Sequence, residues 1–491
     1  MKKLVVLLLL LSFFSLQGQR NPPLRVELAT AKDVDDYKSA QIGEKGVFVF
    51  YEGNLLNVDT ATWIFMRYDT NLQKKENLRI LLPANINYEL SYFANGHLYL
   101  LFQDQFQRKS TAKSYLLDIN VEDNSTTLHT ISELSDLNIE MLKMAGNHAI
   151  MLSYVKDNYN IYMYSSEQDK LITPELAPEF YIKSIEFCEI DTFQKMIYWG
   201  LVLSESAKSS VLSLIVTDYQ GNVITREIFP YYSGYYYNSA RLSVIDATRS
   251  LIIGTYTAEN NKNTGNLHTG VYTLTYKNNK MGDPEYYNFT HIKNKDSISD
   301  NKYRNKGVNL NILIGDIFQQ NGQFSLVNEI FYPEYSYTSS SSMIDPYYYG
   351  YNTMPSSSFA GYRYVNAYVT TFDQNGKLLW DLYMPFSNIL TQRLLTRVAV
   401  CNFEDYAVVY YPYNASLTYT MVEGEEIIEP LTSINMPTFH KEEIVEYSRN
   451  PRFEKWHGNY FLNSGYQYIR GGKEGKKAKR YVFFLSKMEY R

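Results

Sequence analysis

The side chains of this 491-residue chain that could carry chemistry are seven histidines, two cysteines and scattered carboxylates, and their spacing argues against most of it. The histidines are His97, His129, His148, His268, His291, His440 and His457. No two stand at metal-ligand spacing, so no metal site is expected. There is no Gly-x-Ser-x-Gly elbow and no Gly-Lys-Ser/Thr phosphate loop. Asp33-Val34-Asp35-Asp36 lacks the glycine and distal glutamate of a calcium loop and reads as a polar turn. Cys188 and Cys401 are too few for a disulfide framework. They are expected as buried thiols, a single long-range bridge being the other option. Trp456-His457 falls on an expected channel-facing strand, where a core Trp with a satisfied His is the plainer reading. His97 and His148 each follow an Asn/Gly turn and look like one strand start repeated. What stands out is tyrosine, at 47 residues. Its ring favours strands and offers interfaces an apolar body with a polar tip.

These side chains need elements to position them, and the elements read as strands. The stretch Tyr364 to Tyr383, YVNAYVTTFDQNGKLLWDLY, is one β-hairpin. It turns at Asp373-Gln374-Asn375-Gly376. Asn-Gly favours positive φ at both positions, and Asp373 can accept hydrogen bonds from the backbone two residues on. By the two-residue period, Val365, Ala367, Val369 and Thr371 share one face, and Tyr364, Asn366, Tyr368 and Thr370 the other. Weaker copies turn at Asp69 to Asn71, Glu122 to Asn124, Glu167 to Asp169, Asp218 to Asn222, Asn278 to Gly282 and Glu423 to Glu425.

The turns recur at intervals of about 45 to 60 residues, apart from one of about 95 before Asp373. Two further short apolar runs precede each hairpin, as in NYELSYFANG then HLYLLFQDQ. The unit is therefore four strands, A to D, and the expected fold class is all-β: a single β-propeller of eight four-stranded blades, seven being the runner-up. After the seventh hairpin, RFEKWHG, NYFLNSGYQYI and KRYVFFLSKMEY supply strands A, B and C of a last blade. LRVELAT, Leu24 to Thr30, is expected to supply its D strand and close the ring, removing an open sheet edge.

Within the hairpin, Gly376, Lys377 and Trp380 resemble the Gly-Lys-x-x-Trp part of the docking motif of quinoprotein-type propellers, Asp-x-x-Thr-Gly-Lys-x-x-Trp. Asp373 stands one residue closer to the glycine, and Asn375 replaces the threonine. Asp218-Tyr219-Gln220-Gly221 keeps the turn without the tryptophan. That family has eight blades and includes pyrroloquinoline-quinone dehydrogenases and an outer-membrane assembly scaffold lipoprotein. The resemblance implies fold more than function. Many of the quinone enzymes place adjacent cysteines beside the cofactor. Here the cysteines lie far apart, and no cofactor is expected.

The N-terminus begins Met1-Lys2-Lys3, continues LVVLLLLLSFFSL and reaches Gln17-Gly18-Gln19. It reads as a secretory signal over residues 1–18, leaving 19–491 as the propeller. Its apolar run is short for a membrane anchor, and no later stretch is long and apolar enough to span. Export to the periplasm or cell surface is therefore expected. Removing Lys2 and Lys3 takes the net charge from −5 to −7, which argues against nucleic acid as a partner.

In a propeller the A strands line the channel, and the D-to-A and B-to-C connections emerge together on one face. Two tyrosine-rich segments fall there: PYYSGYYYNSA, Pro230 to Ala240, and an insertion from Tyr332 to Tyr364 with nine tyrosines and three prolines. Tyr beside Ser and Gly is the composition of adaptable binding surfaces. The other option is that these rings pack on each other and cover the channel mouth. The candidate partner-binding residues are Tyr235, Tyr236, Tyr348 and Tyr349. The basic run GGKEGKKAKR, Gly471 to Arg480, shares that face and could meet an acidic partner or lipid headgroups, or stand as a solvated hairpin tip. TAENNKNTGNLHTG, Thr257 to Gly270, is unpatterned. The expected function is a protein-binding or scaffold module of the bacterial cell envelope, its partner an envelope protein or a glycan. The alternative is an extracytoplasmic propeller enzyme that binds or degrades polysaccharide through channel-mouth carboxylates or histidines.

Overall fold

The computed structural model describes residues 24–104, 113–134, 138–155, 158–206, 209–230, 234–258, 269–289, 310–338, 356–413, 415–436, 438–440, 442–458, 460–471 and 479–489. Among them no α-helix occurs, only strands, turns and two short 3-10 turns. The strands form eight antiparallel sheets arranged as an eight-bladed β-propeller. Blades 1 to 7 span residues 38–83, 86–131, 139–172, 181–228, 235–288, 311–391 and 399–435. Blade 8 takes A, B and C from Ile444–Lys455, Tyr460–Arg470 and Lys479–Glu489, and D from Leu24–Thr30. Leu24 pairs with Lys487 and Thr30 with Tyr481, so the N-terminal strand closes the ring in the place expected for it.

Each blade buries both its flat faces, because the hydrophobic cores lie between blades. Phe48, Phe50, Trp63 and Phe65 of blade 1 pack against Leu98, Leu100 and Phe102 of blade 2. Equivalent clusters join the later neighbours, such as Trp380, Leu382 and Val369 of blade 6 with Val400, Val409 and Tyr411 of blade 7. Val47, Val49 and Tyr68 of blade 1 meet Trp456, Leu462 and Phe483 of blade 8, so the apolar seam has no open end. A strands of blades 1 to 3, and those of blades 4 to 7, contact their neighbours along the inner ring.

The turns between strands C and D explain the regularity. In blades 1, 4 and 6 an aspartate carboxylate accepts two backbone N–H groups across the turn. Asp69 takes Asn71 and Gln73 at 2.9 Å each. Asp218 takes Gln220 at 2.9 Å and Asn222 at 2.8 Å. Asp373 takes Asn375 at 2.8 Å and Lys377 at 2.9 Å. The backbone N–H groups that turning would strand are thus paired locally. At the Asn-Gly pair of blade 6 only Gly376 is left-handed, with φ +83°. The ladder shifts register between Thr371 and Phe372, so this is a bulged turn and not the tight two-residue kind. A second bulge, at Val365, reverses the expected phase. Tyr364 joins the core side with Ala367 and Val369, and Val365 joins the Tyr368 side.

The Gly376 turn also docks on its neighbour. Its carbonyl accepts the Thr273 hydroxyl at 2.9 Å and the Tyr287 hydroxyl at 3.1 Å, both from blade 5. A Cβ at Gly376 would stand 2.8 Å from the Thr273 Oγ1. Gly376→Ala is therefore expected to cost about 1–3 kcal/mol through left-handed strain and displacement of this dock. Urea unfolding checks it, and a shift below about 0.5 kcal/mol would mean the dock yields freely.

Candidate binding face

Antiparallel order inside each blade makes the two ends of the propeller unlike. A-to-B and C-to-D turns emerge on what we call the second face, and most are short. B-to-C and D-to-A connections emerge on the first face and include the long segments. Among the described residues the exposed tyrosines and phenylalanines are Tyr154, Tyr181, Phe193, Tyr235, Tyr335, Phe359, Phe439 and Tyr447. All except Phe193 sit at first-face strand ends or in first-face connections. Leu55, Leu56 and Val58, in the B-to-C turn of blade 1, are also exposed there. Val223, Ile224, Leu379, Ile427 and Ile428 are exposed beside second-face turns, so it is the aromatic rings, and not apolar side chains at large, that gather on the first face.

Tyr235 and Tyr236 belong to a strand and not to a free loop. Tyr235–Tyr237 pairs with the far end of Arg249–Ala258, continuing the A strand of blade 5 toward the first face after a break. Tyr235 stacks on Tyr286 at 4.4 Å between centroids and meets Tyr256 edge-on at 5.4 Å. Tyr237 packs on Tyr272, and its hydroxyl donates to the Pro230 carbonyl at 2.8 Å. Burial, with Tyr235 and Tyr286 beside it, pushes the Tyr256 phenol up to about 12. These rings partly cover one another, as the self-packing reading expects, while Tyr235 stays exposed.

In blade 6 the base of the insertion is a two-stranded ribbon. Gln323–Thr338 pairs with Ser356–Phe372 out to Thr338 opposite Ser356. Tyr335 and Phe359 meet edge-on at 5.8 Å on the ribbon, and Arg363 clamps Glu334 with two hydrogen bonds, at 2.5 and 2.7 Å. Tyr348 and Tyr349 lie outside the described residues, as do most of the basic run after Gly471 and the signal-like segment.

Blade 8 adds an aromatic cleft that sequence reasoning missed. Tyr447, Tyr468, Tyr481 and Thr30 stand in one row across its four strands. Tyr468 and Tyr481 stack at 4.5 Å. Arg449 lies over the Tyr466 ring and pairs with Asp35 at 2.7 Å, which ties the Asp33 to Asp36 turn onto the cleft. The signal that could have found this row is the position of each tyrosine relative to its strand end.

The channel wall carries charge, and Lys143, Glu189 and Arg241 are engaged there. The Lys143 ammonium of blade 3 donates to the Cys188 carbonyl at 2.6 Å and to Glu189 at 2.8 Å in blade 4. Arg241 of blade 5 reaches the Glu186 carbonyl in blade 4 and the Ile314 carbonyl in blade 6, the latter at 3.1 Å. Burial raises Glu189 above the usual carboxylate range although Lys143 opposes it. These side chains stitch neighbouring A strands together.

Of the residues read for chemistry, Cys188 and Cys401 are free, buried thiols. His97 and His148 open the B strands of blades 2 and 3, as their spacing suggested. Trp456-His457 lies in the A-to-B turn of blade 8 and not on the strand, which ends at Lys455. Trp456 is core, its indole N–H donating to the Gly46 carbonyl at 3.1 Å. Among the described residues no cluster of three His, Cys, Asp or Glu is placed to hold a metal, and no helix is long and apolar enough to cross a membrane.

No family model and no curated protein matches the chain. Its structure is similar to that of the polysaccharide lyase Uly1, at 7% identity and a TM-score of 0.42, covering 82% of this chain and 89% of that one. It is similar to the β-propeller domain of the Trilobed protease from Pyrococcus furiosus, at 8% identity and 0.35, covering 83% and 95%. It is also similar to the tricorn protease, at 10% identity and 0.36, where 85% of this chain spans 36% of that one. At these scores the likenesses carry no argument about what this chain does.

Proposed function

We propose that this chain is an exported binding or scaffold module of the bacterial cell envelope, holding an envelope partner on its first face. The observation that carries the reading is the one-sided placement of exposed aromatic side chains, Phe193 excepted. Each ring brings large contact area at low conformational cost, the trait of rigid anchors in binding surfaces. The propeller supplies a stiff frame, since every blade is locked between two cores. Channel-wall charges support this assignment too. Lys143 and Arg241 donate to backbone carbonyls of neighbouring blades and Glu189 accepts Lys143, so these three groups serve the frame.

The test is a crosslinking pull-down from native envelopes. It compares the mature chain with a version whose residues 339–355 are replaced by a short Gly/Ser linker, after both are shown to fold equally. A defined partner captured by the intact chain and lost from the cut one is the expected outcome. Identical capture by both versions sinks the assignment of the insertion to the partner surface.

The enzyme reading has one specific observation behind it, the raised carboxyl of Glu189 in the channel. Glu189→Gln is expected to leave partner capture unchanged. Loss of a polysaccharide-degrading activity with folding intact would favour the enzyme instead.

A further inference from the structure

A polar pocket of about 310 Å³ opens on the second face between blades 4 and 5, away from the aromatic face. Its lining comes from three turns and the strands that begin or end at them. Gln194 lies in the A-to-B turn of blade 4, Ala247 and Thr248 in that of blade 5, and Asn278 and Asn279 in the C-to-D turn of blade 5. Tyr198 and Tyr276 form an aromatic corner, edge-on at 5.9 Å between centroids.

One group here is left without an answer inside the protein. Tyr276 is 2% exposed, and its hydroxyl has no hydrogen-bond partner. By contrast the Tyr198 hydroxyl donates to Asp191 at 3.3 Å. A buried phenol that can donate and accept is costly to leave unpaired, so whatever enters the pocket should answer it. Burial, with Glu227 nearby, pushes this phenol up to about 12, so it stays a neutral donor at physiological pH.

The lining selects against charge. Arg249 is paired with Asp246 at 2.8 Å, and the other lining side chains are neutral. A phosphate or carboxylate would find no unpaired cation, and a second cation no unpaired anion. Gln194 Nε2 is turned to the Ala247 carbonyl and the Thr248 hydroxyl donates to Asp246, so what the pocket presents is the Tyr276 hydroxyl and the carboxamides of Asn278 and Asn279 beside an aromatic corner. Asn278 and Asn279 are fixed by left-handed backbone, φ +50° and +59°. Phe193, the exposed phenyl of this face, adjoins Gln194 in the same turn.

We propose that this pocket binds a neutral pyranose, an unbranched sugar residue with hydroxyls facing Tyr276 and the two asparagines. Pockets of a few hundred Å³ suit one such ring with its ordered water. The inference goes beyond the partner reading and does not rest on it, because the two surfaces lie on opposite faces.

The test is saturation-transfer difference NMR on the mature chain with the methyl glycosides of glucose, galactose, mannose and N-acetylglucosamine. At least one is expected to receive transfer. Tyr276→Phe removes only the unpaired hydroxyl, so it should leave the melting temperature unchanged or higher while weakening the sugar roughly tenfold. Asn279→Ala should weaken it as well, and replacement of residues 339–355 should not. Silence from all four glycosides would show a pocket that holds water alone and overturn the inference. So would transfer that persists undiminished in both substituted chains.

Discussion

Glu27→Ala should destabilise the propeller by about 3–5 kcal/mol, the usual consequence of removing one partner from a buried ion network. Glu27 sits on the closing strand Leu24–Thr30 with only 7% of its side chain exposed. It accepts Arg25 Nε at 2.8 Å, and Arg480 at 2.8 and 3.0 Å from the neighbouring strand. Arg480 in turn holds Glu443, whose side chain is 1% exposed, at 2.7 Å. Arg25, 2% exposed, donates its other edge to Gln467 at 2.7 Å and lies 4.4 Å over the Phe484 ring. Alanine at position 27 removes the carboxylate that faces the buried Arg25 charge. The network ties the N-terminal strand to blade 8 alongside the backbone ladder and the packing of Val26 and Leu28, so its loss should weaken the ring at that seam. Urea denaturation at neutral pH measures this, with amide hydrogen exchange to show whether Leu24–Thr30 and Lys479–Glu489 lose protection first. A change under about 1 kcal/mol would mean that backbone pairing alone closes the ring.

Glu329 predicts a second large effect, one that depends on pH. It lies in strand B of blade 6, fully buried, and one oxygen accepts the backbone N–H of Arg397 at 2.5 Å and of Val398 at 2.6 Å. Its other oxygen has no partner, and the Arg397 guanidinium lies over the Tyr364 ring. Burial raises this carboxyl to about 7 against the backbone hydrogen bonds and Arg397, which pull it down. The folded chain therefore holds a proton that the unfolded chain releases near pH 4.5. Stability from this group falls as pH rises from about 4.5 to 7, by about 3 kcal/mol, and is level above that window. Glu329→Gln keeps an acceptor for both N–H groups and carries no charge. It should match the parent near pH 4.5 and exceed it by about 2–3 kcal/mol at pH 8. Urea midpoints across that range decide it. A parallel pair of curves would assign the pH dependence elsewhere. Glu329→Leu, which leaves the two N–H groups unpaired, should be destabilising at every pH.

The architecture was legible because its punctuation is local. Asp69, Asp218 and Asp373 announce their turns through a carboxylate that can reach the next N–H groups, and that needs no tertiary partner. The closing strand was legible for a different reason. Three strands without a fourth at one end and an orphan strand at the other have one economical pairing. What escaped depends on contacts across blades or on single-residue shifts. The bulge at Val365 turns Tyr364 inward because its hydroxyl donates to the Leu395 carbonyl at 2.6 Å, and period-two counting cannot foresee that. Trp456 slid past its strand end for a similar reason, drawn to a carbonyl of blade 1. Tyr235 and Tyr236 fall in the D-to-A connection expected from the blade order, yet pairing with the extended Arg249–Ala258 strand makes them strand. The aromatic face was half visible. Dense tyrosine runs drew attention, whereas Tyr181, Tyr335 and Tyr447 gain meaning only once strand ends are aligned around the ring. The second-face pocket left no linear trace, since its walls come from three separate turns.

The central claim is that one face of this propeller is the partner surface. Photo-crosslinking amino acids placed singly at Tyr181, Tyr335 and Tyr447, with Leu379 on the opposite face as the control, test it in intact envelopes. All four side chains are exposed, so each probe reaches solvent. The account predicts that the three first-face positions crosslink to the same envelope component and that Leu379 does not. Capture from Leu379 as strong as from Tyr335, or three unrelated patterns from the first-face positions, would contradict it.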